Sequence, residues 1–126
     1  MNSKAPIFES ARSFVVFSYN IERGLLLLRS RKANATPTRI DVLFQDVRAM
    51  ELRSWFQGIK IEESDRQFLE TARSKPVEMI EPGNRIYSLV GPGWTGFVVG
   101  GIVSVLEDNG EYTSPSGLME RKRGDK

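Results

Sequence analysis

The side chains able to do chemistry in this 126-residue chain are carboxylates and arginines, because it contains no histidine and no cysteine. Their absence removes the usual zinc, copper and haem ligands, the neutral-pH proton shuttle, thiolate chemistry and any disulfide framework. Paired carboxylates are the catalytic device that remains. Two dense groups occur, Glu62-Glu63-Asp65 and Glu107-Asp108-Glu111. General acid–base work needs two carboxyls in different environments, one with a raised pKa. Both groups lie in polar, turn-like sequence where carboxylates are normally solvated, and neither has the spacing of an EF-hand. The chain is therefore expected to be no enzyme and to hold no metal or cofactor.

GPGWTG (91–96) fits the dinucleotide pattern G-x-G-x-x-G letter for letter. That pattern works where a strand feeds a helix whose N-terminus receives the pyrophosphate. Here FVVGGIVSV follows, which is strand-forming sequence, and Pro92 removes a backbone donor. The acid expected about 20 positions on would fall in TSPSGL, which has none. The stretch reads as a glycine-rich hairpin loop.

The arginines invite a nucleic-acid reading. Arg29, Arg31, Lys32, Arg39, Arg48 and Arg53 stand near Trp55 and Phe56, which supplies cations for phosphates and aromatics for bases. They are interleaved with Asp41, Asp46 and Glu51, which a phosphate groove would not tolerate cheaply. Cross-strand ion pairs explain the interleaving more simply.

The elements that would position these residues are mostly strands. SFVVFSY (13–19) and GLLLLRSR (24–31) flank a turn at NIERG; the four leucines read as a strand covered on both faces or as a short helical turn. In RIDVLF (39–44), Ile40, Val42 and Phe44 share one face and Arg39, Asp41 and Leu43 the other. The alternation falters at Gln45-Asp46, as at a bulge or tight turn, and Gly58 breaks the run again before Ile59 and Ile61. A helix is expected over 64–74, with Ser64 as N-cap, Gln67 completing a capping box, Phe68, Leu69 and Ala72 as its apolar stripe, and Pro76 beyond its end. EPGN (81–84) is a turn; RIYSLV (85–90) and GFVVGGIVSVLE (96–107) are strands. The expected fold is β-rich α+β: an antiparallel sheet or partly open barrel of about six strands with one packed helix. Residues 1–10 read as a flexible arm, 11–112 as a single globular domain, and 113–126 as a flexible basic tail.

Charge is unevenly spread. The sequence has pI 9.1 and net charge +2, yet residues 1–60 sum to +5, 61–120 to −6 and the terminal RKRGDK to +3. Such asymmetry can orient encounters with a charged partner; the plainer reading is two solvated faces of a sheet. The longest apolar run, WTGFVVGGIVSVL (94–106), is too short for a membrane helix, which needs about 20 residues. A cytoplasmic protein without membrane contact is expected.

The rhythm of RIDVLFQDVRAMEL, WFQGIKI and GFVVGGIVSVLEDNGEYTSPSG (within 39–61 and 96–117) resembles small bacterial β-rich proteins of unknown function, some of them similar to immunity proteins of toxin systems. The resemblance implies a compact β-rich domain that binds another protein; it carries over no functional residues. Interfaces of this kind depend on a few Trp, Tyr and Arg anchors. The candidates here are Arg48, Arg53, Trp55, Trp94 and Tyr112. The alternative is a sequence-tolerant nucleic-acid-binding β-domain that uses the basic front half.

Overall fold

The computed structural model describes residues 6–30, 37–70 and 81–119. Eight strands form one antiparallel sheet: β1 (Phe8–Asn20), β2 (Leu25–Ser30), β3 (Arg39–Phe44), β4 (Ala49–Glu51), β5 (Trp55–Ser64), β6 (Arg85–Gly91), β7 (Trp94–Gly100) and β8 (Val103–Asp108). Their order across the sheet is β4-β7-β6-β5-β1-β2-β3-β8. The count exceeds the expected six because two long runs each break in two. The run 39–51 breaks at Gln45–Arg48, where Asp46 takes a left-handed φ of 56°, and the run 94–108 breaks at Gly101-Ile102.

The two breaks lie against each other. Gln45 N donates to Ile102 O (2.9 Å), Gly101 N to Gln45 O (2.8 Å) and Arg48 N to Val99 O (2.7 Å). These bonds tie β4, at one end of the sheet, to the neighbourhood of β8 at the other, so the open sheet is curled tightly on itself. The curl encloses the main core, which includes Phe14, Leu26, Val42, Phe56, Leu89 and Val98.

The leucine run is a strand covered on both sides. Leu26 and Leu28 point into the main core, while Leu27 packs outside with Leu43 and Leu118. Ile40, Val42 and Phe44 face inward as the alternation requires. Their opposite face corrects the sequence reading. Arg39, Asp41 and Leu43 are only 3%, 1% and 1% exposed, rather than solvated. The cover is the segment after β8. Far from being a flexible tail from residue 113, the chain at 111–119 lies across the outer face of β2 and β3, with Ser116 and Leu118 buried. The remainder of the expected tail, 120–126, is outside the described residues.

The expected N-terminal arm also shortens, since Phe8, Glu9 and Ser10 already pair with Ile61, Lys60 and Ile59. The helix is α1 (Arg66–Glu70), and the part expected over 71–74 falls outside the described residues. Its cap is Asp65, whose Oδ1 accepts from Phe68 N at 3.1 Å. Ser64 does not take that role because it is still paired with Ile86 in the sheet. Leu69 of α1 packs on Ile86, Phe97 and Val99, covering a second patch of the outer face. No helix among the described residues is long and apolar enough to cross a membrane.

Candidate functional site

The front-half arginines separate into two groups. Arg29 and Arg39 are buried. Arg29 stands opposite Asp41 in the β2–β3 register and meets it in a fork, Nε to Oδ1 at 2.7 Å and Nη2 to Oδ2 at 3.0 Å. Its Nη1 donates to the carbonyls of Tyr112 (2.6 Å) and Ser114 (2.9 Å), and Phe17 lies against the guanidinium, 4.2 Å from its centre. Arg39 stands opposite Asp108, bonds it at 2.8 Å, and donates to the carbonyls of Glu111, Ser114 and Pro115. The Arg39 hydrogen bond holds the Asp108 carboxyl below the usual carboxylate range, helped by the Gly110 N–H. Both arginines thus divide their donors between a cross-strand carboxylate and the 111–115 backbone, which they hold to the sheet.

Ion pairs also account for much of the charge asymmetry. Basic residues of the front half meet acids of the back half: Arg12 with Glu107, Arg39 with Asp108, Arg48 with Glu81. The two halves neutralise each other across the fold instead of forming two separate solvated faces. Arg31 and Lys32 lie outside the described residues.

Arg53, Trp55 and Trp94 come together in a groove of about 830 Å³ between β1, β5 and the β6–β7 hairpin, with Glu9, Lys60 and Pro92 also in its walls. This volume is in the range of small-ligand sites. Trp55 stands out from it, 54% exposed. Phe56, next along β5, turns inward and is fully buried, and the Trp94 ring lies 4.5 Å from it, so Trp94 forms the floor.

The floor depends on local backbone geometry. Residues 91–94 are the hairpin that the glycine-rich sequence indicated: Gly91 pairs with Trp94 across a Pro92-Gly93 turn, and Gly93 has φ 78°. Proline followed by a residue of positive φ is the signature of a type II turn. The Trp94 indole lies directly on Gly91, where a Cβ would overlap its Nε1. That Nε1 is buried without a hydrogen-bond partner among the described residues. Gly58, with φ 82°, lies against Pro92, whose ring a Cβ there would meet at 3.0 Å. In the sequence Gly58 shows only as a break in a run and Pro92 only as the loss of a backbone donor in a hairpin loop; that the two meet depends on strand pairing between β5 and β6.

The other two candidates stand apart from this lining. Arg48 bonds Asp46 (3.0 Å) and Glu81 (3.1 Å) at the β3–β4 break, and the Asp46 hydrogen bond chiefly raises its pKa further. Tyr112 lies edge-on to Phe17, with centroids 5.3 Å apart, in the segment that the arginines hold. Among the described residues no three carboxylates gather as a metal site. Glu107 and Asp108 face Arg12 and Arg39, while Glu62 and Glu63 face Lys60 and Arg85 at 3.8 and 3.9 Å. No protein family, curated protein or solved structure matches this chain.

Proposed function

We propose that this domain is a non-catalytic protein-binding module, of the kind represented by immunity-type inhibitors of bacterial toxins, and that it binds through the Trp55 groove. The observation that carries the reading is Trp55: a large aromatic more than half exposed, beside the exposed Arg53, above a preformed floor of Trp94 and Phe56. An exposed Trp–Arg pair at a groove has the composition of an interface anchor. The nucleic-acid alternative draws less support, because Arg29 and Arg39 are consumed internally and Arg48 is flanked by two acids.

The test is capture of partners from the native host's lysate on tagged full-length protein, with and without nuclease, beside a Trp55→Ala variant. One stoichiometric protein that survives nuclease and is lost with Trp55→Ala is the expected result. A partner that vanishes on nuclease treatment, or that binds the variant equally well, refutes the assignment.

A further inference from the structure

A second cavity, of about 360 Å³, shares no lining residue with the Trp55 groove. It opens between the end of β1 at Ser18–Asn20, Arg23 of the β1–β2 turn, Leu25, Leu43 and Met119. Here the cover that residues 111–119 give the outer face ends. Leu118 is buried on Leu27 and Leu43, while Leu25 beside them is only partly buried. The walls are held by main chain. Asn20 Oδ1 accepts from Arg23 N at 3.1 Å and Val47 N donates to Gly24 O at 2.9 Å, which fixes the turn at both ends. On the segment's side, Met119 N donates to Ser116 O at 3.1 Å. The lining is chemically lopsided: Leu25, Leu43 and Met119 are apolar, and Arg23 carries the single formal charge. Arg23 is exposed and forms no ion pair with a described residue. Glu22, next to it, is exposed on the turn but takes no part in the lining.

We propose that this cavity binds a small amphipathic carboxylate, with its apolar body against Leu25, Leu43 and Met119 and its carboxylate on Arg23. The volume falls near the lower end of ligand sites, roughly 300–1,000 Å³, which suits a short aliphatic or single-ring acid. An apolar lining with a few placed polar groups is the usual make-up of such sites. The planar guanidinium meets a carboxylate with two parallel hydrogen bonds. A neutral ligand would leave Arg23 unused, and a cation would be repelled. The chain's own continuation is a poor occupant, because residues 120–126 read ERKRGDK and bring no apolar side chain to the leucines. Directly beyond Met119 they instead supply four cations against two acids, which further favours an anion. The site stands or falls separately from the protein-binding reading of the Trp55 groove.

The probes are octanoate, its uncharged analogue octanol, and acetate, each titrated into the full-length protein and followed by side-chain methyl resonances. Octanoate should shift the methyls of Leu25, Leu43 and Met119 saturably at millimolar concentration or below. Octanol should do so more weakly, and acetate not at all, since it has no body to bury. Arg23→Gln changes an exposed turn position that leaves the fold intact. It should weaken octanoate binding about tenfold and leave octanol unchanged. Octanoate that binds Arg23→Gln equally well would overturn the carboxylate assignment, and acetate that binds as well as octanoate would overturn the apolar half. Shifts that gather at Ala11, Ile59 and Val90 would put the ligand in the Trp55 groove and refute the site. So would an octanoate titration that moves no methyl at millimolar concentration.

Discussion

Replacing Asp41 with alanine tests the central claim about the buried arginines. Asp41 and Arg29 are 1% and 0% exposed at their side chains, and both carboxylate oxygens are engaged. Asp41→Ala strands a guanidinium in dry surroundings with two of its donors unanswered, while its bonds to the Tyr112 and Ser114 carbonyls remain. Removing one partner of a buried pair costs about 3–5 kcal/mol, against about 0–1 kcal/mol for an exposed one. Unfolding entropy is about 2.1 cal/mol/K per residue, so 126 residues give roughly 0.26 kcal/mol/K. Asp41→Ala should therefore lower Tm by roughly 11–19 °C, read by circular dichroism and checked by urea titration. The double variant Arg29→Met/Asp41→Leu removes both charges and should recover most of the loss, because no orphaned ion is left. A fall of less than about 4 °C for Asp41→Ala, corresponding to about 1 kcal/mol, would refute the burial argument, as would a double variant whose loss equals the sum of the singles.

Three further outcomes follow from the same packing. The folded-state pKa of Asp108 lies below its unfolded value, so its contribution is complete above about pH 3.9 and is lost as pH falls through the folded value. Asp108→Asn should flatten the acid limb of the stability–pH curve, and acid limbs that run parallel would count against the Arg39 pairing. Leu118 is 8% exposed between Leu27 and Leu43, so Leu118→Ala should cost about 2 kcal/mol or more in urea unfolding; a cost under about 0.5 kcal/mol would mean the segment does not cover the sheet. Gly91→Ala forces a Cβ into the Trp94 indole and should cost about 1–3 kcal/mol with a red shift in tryptophan emission, whereas a neutral effect would misplace the indole.

Local pattern carried much of the fold. The period-two alternation of Ile40, Val42 and Phe44 gives their inward face, the unbroken leucines of β2 signal cover on both sides, and the GPGWTG hairpin follows from the strand formers around it. The interleaved charges anticipate cross-strand pairs, realised as Arg29–Asp41 and Arg39–Asp108. What local pattern could not supply was the depth of those pairs. Arg39 and Asp41 lie on the face that alternation assigns to solvent, and the segment that dries that face is more than 70 residues away for Arg39. That segment, rich in Ser, Pro and Gly, has the composition of a loose tail. Its order comes from main-chain carbonyls meeting arginines, and main-chain carbonyls leave no trace in composition. The groove was half legible: Arg53, Trp55 and Trp94 stood out by residue type, whereas the contact of Gly58 with Pro92 depends on the pairing of β5 with β6.

The long reach of the arginine clasp also has a consequence during synthesis. Arg29 leaves the ribosome 83 residues before Tyr112 and 85 before Ser114. At about 5–20 residues per second that interval is roughly 4–17 s. Once β3 has followed, the β2–β3 pair carries Leu27 and Leu43 on a face with no cover for the rest of it. The outer face thus offers an apolar surface to chaperones, or to neighbouring nascent chains, until the last strand and the segment behind it emerge. Ribosome pausing within residues 44–110 would lengthen that exposure without altering the finished molecule.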